Sequence, residues 1–286
     1  MIYSTKRDFL DAPQKRIAFI GMSGLGKTYI STLLRASGDW FHYSVDYRIG
    51  TRYMGEPIVD NFKREAMKVP FLRMMLMSDS ISIGSNITFE NLAPLSTYLG
   101  KPGDPGKGGI AFDEYMRRQA FHREAEIAAT KDTAAFIDKA RDIYGYNNFV
   151  SDTSGSICEV VDPEDRADPV LTTLADNLLI VWIRGADSHI ETLVDRFNKA
   201  PKPMYARPDA MQSRWQTYLH ETSAAPEAVD PDAFVRWSYR KILDDRLPLY
   251  RSIADNWGVT IDADHLANAR DEADVIAALA SVLPDR

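Results

Sequence analysis

Residues 16–28 read RIAFIGMSGLGKT, and this stretch decides the fold. Its first five residues, Arg16–Ile20, form a short apolar run that predicts a buried β-strand. Residues Lys27–Ala36 predict a helix that stops near Gly38. Between strand and helix, residues 21–28 match the pattern G-x-x-x-x-G-K-[S/T] without a substitution. Because motif and context agree independently, we interpret the segment as a phosphate-binding loop and not as an incidental glycine-rich turn.

The chemistry of phosphate binding explains the spacing in this loop. Its glycines permit backbone conformations and close approaches that side chains would block, so that amide N–H groups point at a nucleotide's phosphates. The positive end of the following helix adds to the attraction. Lys27 is expected to reach the β- and γ-phosphates as a catalytic residue, and the Thr28 hydroxyl to ligate magnesium. The predicted ligand is a nucleotide with Mg²⁺, which leaves a hydrolase, a kinase and a nucleotide-dependent switch all possible. The residues expected to bind it are Gly21, Met22, Ser23, Gly24, Leu25, Gly26, Lys27, Thr28 and Tyr29.

Apolar runs alternate with helical patterns along most of the remaining chain. Further strands are predicted at 40–45, 148–151, 178–183 and 258–261, and helices at 113–145 and 272–282. Asp113 is the predicted cap of the first of these helices. The alternation predicts a three-layer α/β fold of the P-loop NTPase type, with about five parallel strands and helices on both faces. We expect one domain, 1–286, whose excess length is inserted and not appended.

Two further segments have unusual composition. Residues 59–77 have helical composition and include four methionines, for which packing in the core is favoured over a surface that binds an adaptable partner. The run GKPGDPGKGG at 100–109 combines glycine, proline and charge, and it predicts a flexible connector and not a second phosphate loop.

The composition excludes several classes of protein. The chain has 286 residues, a formal net charge of −7 and one cysteine. The acidic balance argues against nucleic-acid binding, which needs concentrated lysine and arginine. One cysteine excludes an intramolecular disulfide framework, and no run approaches the roughly 20 apolar residues of a membrane helix. Residues 1–16 lack the apolar run of a secretion signal, so we expect a cytoplasmic protein with a reduced Cys158 and neither nucleic-acid nor membrane partners.

A series of motifs supports a more specific interpretation. In chain order they are GMSGLGKT at 21–28, SVDYRIG at 44–50, the spacing of Arg123 and Glu126, SDTSGS at 151–156, LLIVWIRGADSHIETLVDRF at 178–197 and DDRLPLYRSIADNWGVTID at 244–262. In this order the chain resembles the shikimate kinase family, within the nucleoside-monophosphate-kinase-like group. The match at 246–250 makes the resemblance specific, because the loop alone is generic. A helical insertion at 51–112 has no counterpart, and the lid region at 198–240 is longer.

The resemblance implies roles around the transferred phosphate. Asp46 falls on an aspartate that contacts the acceptor substrate, which it is expected to orient or deprotonate as a catalytic residue; the alternative is a cap or turn residue. Ser44 replaces an aspartate that organises magnesium, and Asp152 is expected to ligate the metal in its place unless it only forms an Asx-turn. Arg196 is the best placed of the lid cations expected to stabilise the transferring phosphoryl group, among which Lys202, Arg207 and Arg214 are also available.

The resemblance also implies an acceptor-binding set. Arg123 and Arg246 are expected to hold an anionic group of the acceptor, because the fork of an arginine matches carboxylate and phosphate. Ser154 and Gly155 stand where the family lines the acceptor pocket, although the triplet of glycines is broken here. The alternatives are a surface position for Arg123, a capped turn at 153–156, and an ion pair of Arg246 with Asp244 or Asp245.

Three functions remain in competition. The favoured one is ATP-dependent phosphoryl transfer to a hydroxyl of a small anionic metabolite, catalysed by a small-molecule kinase. The alternative is a nucleotide-dependent regulatory ATPase whose 51–112 insertion binds a protein partner. A kinase that acts on a nucleic-acid end or a nucleotide-sugar is the third, and the acidic charge speaks against its nucleic-acid version.

Overall fold

A computed structural model of the chain describes residues 2–285. Its strands are β1 (Arg16–Ile20), β2 (Trp40–Ser44), β3 (Asn148–Asp152), β4 (Leu179–Arg184) and β5 (Gly258–Asp262). Its α-helices are α1 (Lys6–Asp11), α2 (Lys27–Ala36), α3 (Val45–Arg48), α4 (Gly55–Ala66), α5 (Pro70–Met77), α6 (Ala93–Leu99), α7 (Phe112–Lys131), α8 (Thr133–Asp142), α9 (Pro169–Asn177), α10 (Asp187–Lys199), α11 (Pro208–Thr222), α12 (Pro231–Trp257), α13 (Ala263–Ala267) and α14 (Glu272–Ser281). Short 3₁₀ turns at Pro105–Lys107, Ile157–Glu159 and Pro226–Ala228 and a π-helical turn at Ile49–Tyr53 complete the description.

The five strands form one parallel sheet in the order β2-β3-β1-β4-β5. Parallel neighbours cannot be joined by hairpins, so the chain crosses over between strands through helices. After β1 the chain first builds the side of the sheet that contains β2 and β3, and later the side that contains β4 and β5. The connections therefore diverge at β1, which leaves a crevice beyond the carboxyl end of this strand. Open α/β sheets bind ligands at such a point. The predicted α/β fold of the P-loop NTPase type, with five parallel strands, is confirmed.

Helices cover both faces of the sheet. Phe19 and alternate residues of the other strands face a core built with α1, α2, α13 and α14. On the opposite face the ring centroid of Tyr43 lies 4.9 Å from that of Phe136 on α8, and Trp182 stacks on Tyr250 of α12 at 6.2 Å. Strands β1 and β4 are buried along most of their length, which explains why they appear in the sequence as continuous apolar runs.

The described chain divides into two compact units. The first, the sheet unit, contains the residues up to Val45, Glu126–Pro201 and those from Arg236 onward. The second, the helical unit, contains Asp46–Ala125 and Lys202–Val235. The helical unit thus includes the predicted insertion, 51–112, and most of the predicted lid region, 198–240. That the chain acts as one domain, with these segments as insertion and lid, stays a prediction.

The structure corrects the predicted helix at 113–145. It begins at Phe112, so that Asp113 lies in the first turn, where a negative charge still favours the helix N-terminus. It also consists of two helices, because α7 ends at Lys131 and α8 begins at Thr133. Between them Asp132 has φ −59° and ψ −19°, a ψ nearer to that of a 3₁₀ turn than to that of a regular α-helix.

Two segments of the helical unit also differ from expectation. The methionine-rich segment is not core: no described residue of α5 is buried, and Phe71, Met74 and Met77 are 63%, 59% and 70% exposed. Apolar composition alone does not tell which helices are covered. The run at 100–109 is a cross-bonded turn and not an open connector, because the Gly103 amide donates to the Ile110 carbonyl at 3.0 Å and the Ile110 amide to the Lys101 carbonyl at 2.9 Å.

Within residues 2–285, none of the helices is long and apolar enough to cross a membrane. Cys158 is a buried free thiol, and burial raises its pKa far above the usual value for cysteine. The cysteine is therefore an unreactive apolar side chain, as the sequence suggests. A cytoplasmic location stays a prediction.

Candidate nucleotide-binding site

The loop between β1 and α2 depends on its three glycines. Gly21, Gly24 and Gly26 have φ angles of 139°, 92° and 93°, a region that side-chain-bearing residues rarely adopt. Space is also restricted, because a Cβ atom on Gly21 would lie 2.8 Å from the Ile183 carbonyl oxygen. A Cβ atom on Gly24 would lie 2.7 Å from Cδ2 of Leu193 on α10. At Gly21 and Gly24, therefore, both the backbone conformation and the lack of space exclude a side chain.

The N-terminus of α2 is suited to bind an anion. Among the described residues, no side chain caps this helix, whose N-cap is Gly26 in the left-handed conformation. The first amide N–H groups of a helix have no partner within the helix, and the helix dipole is positive there. Lys27 is buried in the loop, where its ammonium group donates to the carbonyl oxygens of Gly21 at 2.8 Å and Met22 at 3.2 Å. A positive charge and helix amides thus converge on one turn of chain.

The two residues predicted to ligate magnesium are in direct contact. The Thr28 hydroxyl donates to Oδ2 of Asp152, the last residue of β3, at 2.6 Å. In the sheet register, Asp152 lies beside Ser44 of β2, the position where the resemblance expects the missing aspartate. Nε2 of the buried His42 lies 3.9 Å from the same carboxylate oxygen. Asp152 thus brings its carboxylate from the neighbouring strand to the end of the sheet where the loop lies.

The chemistry of this pair fits Mg²⁺. Magnesium prefers oxygen ligands, and nucleotide sites hold it through one or two protein groups together with phosphates and water. Thr28 and Asp152 supply a hydroxyl and a carboxylate of this kind. Over residues 2–285 there is no group of three or more His, Cys, Asp or Glu side chains that would hold a metal without a nucleotide.

The segment after β3 carries a chain of buried hydroxyl groups. The Thr153 hydroxyl donates to the Phe19 carbonyl at 2.8 Å. The hydroxyls of Ser154 and Ser156 lie 2.9 Å apart, and that of Ser156 donates to Oε2 of the buried Glu126 at 2.7 Å. These bonds join the segment to β1 and α7, and the Ser156 amide also donates to the Ser154 hydroxyl at 3.3 Å, which is the bond of a capped turn. The acceptor-binding role predicted for Ser154 and Gly155 stays a prediction.

Arg246 on α12 lies in a buried ion pair. Its Nε atom donates to Oε1 of Glu159 at 2.7 Å, and both side chains are only 4% exposed. Its Nη1 atom donates to the Gly155 carbonyl at 2.8 Å, and the Tyr250 hydroxyl donates to the same oxygen at 2.9 Å. Burial lowers the pKa of Arg246, but its interactions with Glu159, Cys158 and Tyr250 together outweigh this effect, so the pKa lies above the usual value for arginine. The structure thus pairs Arg246 with Glu159, whereas the alternative considered from the sequence was an ion pair with Asp244 or Asp245. The acceptor-binding role expected for Arg246 stays a prediction.

The remaining predicted residues lie in different parts of the chain. Arg196 is exposed in the last turn of α10, three residues beyond Leu193, which packs against the loop at Gly24. Asp46 lies in α3, and Arg123 lies on α7, where its side chain is 39% exposed and donates to Glu124 at 3.4 Å. Asp46 and Arg123 both belong to the helical unit. Their acceptor-binding roles, like the role of Arg196, stay predictions.

A mostly apolar cavity of about 220 Å³ adjoins the loop. Its lining includes Leu25, Gly26, Tyr29, His189 and Leu266, so it lies between the start of α2, the start of α10 and α13 after β5. The exposed ring of Tyr29 forms part of this wall, and Tyr29 is one of the predicted nucleotide-binding residues.

The sequence did not identify Glu159, Tyr250 or His42 as parts of this site. Tyr250 had a signal, since it belongs to the motif that carries the resemblance. Glu159 and His42 had none, because their partners are 87 and 110 residues away in the chain and no local spacing marks them. Glu126 was part of a noted spacing, but its contact with Ser156 was not expected.

Comparisons with known proteins were made at the level of sequence and of structure. No protein-family model and no curated protein matches the chain. Among solved structures, a 1.7 Å crystal structure of shikimate kinase from Bacteroides thetaiotaomicron is similar, with 13% identity and a TM-score of 0.40 over 93% of this chain and 94% of that chain. This likeness assigns no substrate and no residue roles, and the P-loop NTPase type of fold rests on the parallel sheet and on the loop after β1.

Proposed function

We propose that this protein is an ATP-dependent small-molecule kinase, which transfers the γ-phosphoryl group of ATP to a hydroxyl of a small anionic metabolite. The observation that carries the proposal is the 2.6 Å contact between Thr28 and Asp152 at the first turn of α2. It joins the two side-chain oxygens that this proposal assigns to Mg²⁺, directly behind a complete phosphate-binding motif.

In this proposal the sheet unit binds the nucleotide. Residues 21–29 surround the phosphates, and Lys27 exchanges its carbonyl partners for the β- and γ-phosphates. The apolar cavity beside Tyr29 takes the base. Thr28 and Asp152 hold Mg²⁺, which when bound neutralises charge on the phosphates.

The acceptor is bound and activated by the remaining predicted residues. Asp46 orients the acceptor hydroxyl and takes its proton as the acceptor oxygen bonds to the γ-phosphorus. At the same time the bond from the γ-phosphorus to the β–γ bridging oxygen breaks, and ADP leaves. Arg123, Ser154 and Gly155 bind the acceptor, and Arg196 stabilises the charge on the transferring group.

A thermal-shift comparison tests the nucleotide site. MgATP is expected to raise the melting temperature of the wild-type protein, because a ligand that binds only the folded state stabilises it. Lys27→Ala is expected to abolish the increase, whereas the control Lys131→Ala, at an exposed position in the same unit, keeps it. Undiminished stabilisation of Lys27→Ala by MgATP refutes the assignment. The reaction is tested by screening anionic, hydroxyl-bearing metabolites for ADP formation that depends on the metabolite.

A regulatory ATPase is the second candidate, and the exposure of α5 favours it. Phe71, Met74 and Met77 present an apolar surface in the segment proposed to bind a protein, and large exposed apolar side chains that occur together mark interaction sites. This function predicts ATP hydrolysis without any metabolite and a partner whose binding depends on ATP and is weakened by Phe71→Ser. ADP formation that requires an added metabolite contradicts it.

A further inference from the structure

The carbonyl oxygen of Gly155 is held from one side by α12. It accepts hydrogen bonds from Nη1 of Arg246 at 2.8 Å and from the Tyr250 hydroxyl at 2.9 Å. Arg246 and Tyr250 are four residues apart and therefore lie on the same face of the helix. Glu159 fixes the guanidinium group through its Nε atom at 2.7 Å, and all three side chains are buried. We call Arg246, Tyr250 and Glu159 the Gly155 clamp.

The other side of Gly155 lies against the phosphate-binding loop. A Cβ atom on Gly155 would overlap Oγ of Ser23 and would lie 2.9 Å from the Ser23 amide nitrogen. Three residues earlier, Asp152 contacts Thr28. The segment 152–156 therefore touches the loop region at two points, one in the middle of the loop and one at the start of α2. A displacement of Gly155 is therefore transmitted to the contact with Ser23 and to the contact with Thr28, since close-packed interiors transmit strain.

We infer that the Gly155 clamp is a positioning device, which holds the segment 152–156 in place beside the phosphate-binding loop and so sets the affinity for MgATP. This inference rests on the proposed nucleotide-binding function. It assigns Arg246 a role different from the acceptor-binding role that the resemblance implies. A buried guanidinium that already donates to a carboxylate and a carbonyl would lose charge-assisted hydrogen bonds if it turned to a ligand.

A buried ion pair is a costly way to stabilise a fold, because both charges must leave water. Its geometric specificity suits a positioning role better. The fork of Arg246 joins Glu159 on the turn after segment 152–156 to Gly155 within it, and the two acceptors fix the guanidinium plane. Tyr250 adds a second donor to the same carbonyl, so that the oxygen is fixed in direction as well as in distance.

Acceptor binding by Arg246 and positioning by the Gly155 clamp predict different effects on the affinity for MgATP. If Arg246 binds only the acceptor, neither its conservative variant nor that of Tyr250 changes the dissociation constant of MgATP. If the clamp positions the loop, Tyr250→Phe removes one donor to Gly155 without a change of shape, and the loop must be ordered again when MgATP binds. The expected increase in the dissociation constant is about 2- to 10-fold, the size of one buried hydrogen bond. Arg246→Lys is expected to weaken binding further, because a lysine does not reproduce the fork.

The test is a calorimetric titration with MgATP well below the melting temperature of each variant. Tyr3→Phe is the matched control, because the Tyr3 hydroxyl also donates to a carbonyl in the sheet unit, that of Gln14 at 2.8 Å. Its other hydrogen bond, from the Arg16 amide, and its ring contact with Phe9 also lie outside residues 21–28. We expect Tyr3→Phe to lower the melting temperature while leaving the dissociation constant within 2-fold of wild type. A Tyr250→Phe protein that melts earlier but binds MgATP as wild type does overturns the clamp and leaves the proposed function standing. A wild-type protein that does not bind MgATP refutes the proposed function and the clamp together.

Discussion

Replacing Gly155 by alanine adds one methyl group where the segment 152–156 meets the phosphate-binding loop. The backbone of Gly155 does not have a positive φ, so alanine brings no conformational strain of its own. The new Cβ atom would lie 2.9 Å from the Ser23 amide nitrogen and 3.2 Å from Ser23 Cβ. The Ser23 hydroxyl can rotate away, but the backbone amide cannot.

The size of the effect follows from these distances. Ordinary van der Waals contacts of a Cβ atom begin at 3.4 Å, so the Ser23 amide must move away by about 0.5 Å, the difference between 3.4 and 2.9 Å. The Gly155 clamp opposes a movement of Gly155 itself. Overpacking of this kind costs about 1–3 kcal/mol. When this strain is present only in the nucleotide-bound state, it raises the dissociation constant of MgATP by about 5- to 150-fold.

The assay is calorimetric titration of wild-type and variant protein with MgATP, after circular dichroism has shown that both are folded. Gly84→Ala is the matched control, because its Cβ atom would have no neighbour within 4 Å and its φ is ordinary. We expect the control to bind MgATP as wild type does. A Gly155→Ala protein with the same affinity as wild type would refute the reasoning that the segment and the loop are rigidly coupled.

Three further predictions concern single residues. Asp152→Asn is expected to remove most of the increase in ATP affinity that Mg²⁺ produces, because it removes the carboxylate beside Thr28. If Mg²⁺ raises the ATP affinity of the variant by the same factor as that of the wild type, this prediction is wrong. Asp46→Asn is expected to leave MgATP binding intact and to reduce metabolite-dependent ADP formation by about 10²-fold or more, as removal of a general base does; collapse of ATP binding would place Asp46 in the nucleotide site instead. Arg196→Ala is expected to lower the turnover number by about 10³-fold with little change in the affinity for MgATP, measured by steady-state kinetics and calorimetry; an unchanged turnover number would exclude it as the lid cation.

Local signals predicted the sheet and the loop well. The strand Arg16–Ile20 and the helix Lys27–Ala36 occur with the predicted bounds, and the other strands differ by at most one residue at either end. Strands buried on both faces leave continuous apolar runs, and a phosphate loop needs glycines at given positions, so both are visible in a single stretch of chain. The contact between Thr28 and Asp152 spans 124 residues, yet it could be anticipated because Asp152 ends β3 and Thr28 follows β1, so both lie toward the carboxyl edge of the sheet.

Features that depend on tertiary packing could not be predicted in this way. The pairing of Arg246 with Glu159 joins a helix to a turn 87 residues away, and neighbouring aspartates offered a nearer partner in sequence. The exposure of Met74 on α5 contradicts its apolar character, because coverage depends on what packs nearby and not on composition.

The account rests on the binding of ATP phosphates by the loop between β1 and α2. The most direct test is to titrate the ¹⁵N-labelled wild-type protein with ATP in the presence of Mg²⁺ and to follow the backbone amide resonances. The account predicts saturable binding in which the amides of residues 21–28 show the largest shifts. Absence of binding, or binding that leaves these amides unmoved while others shift, would contradict it.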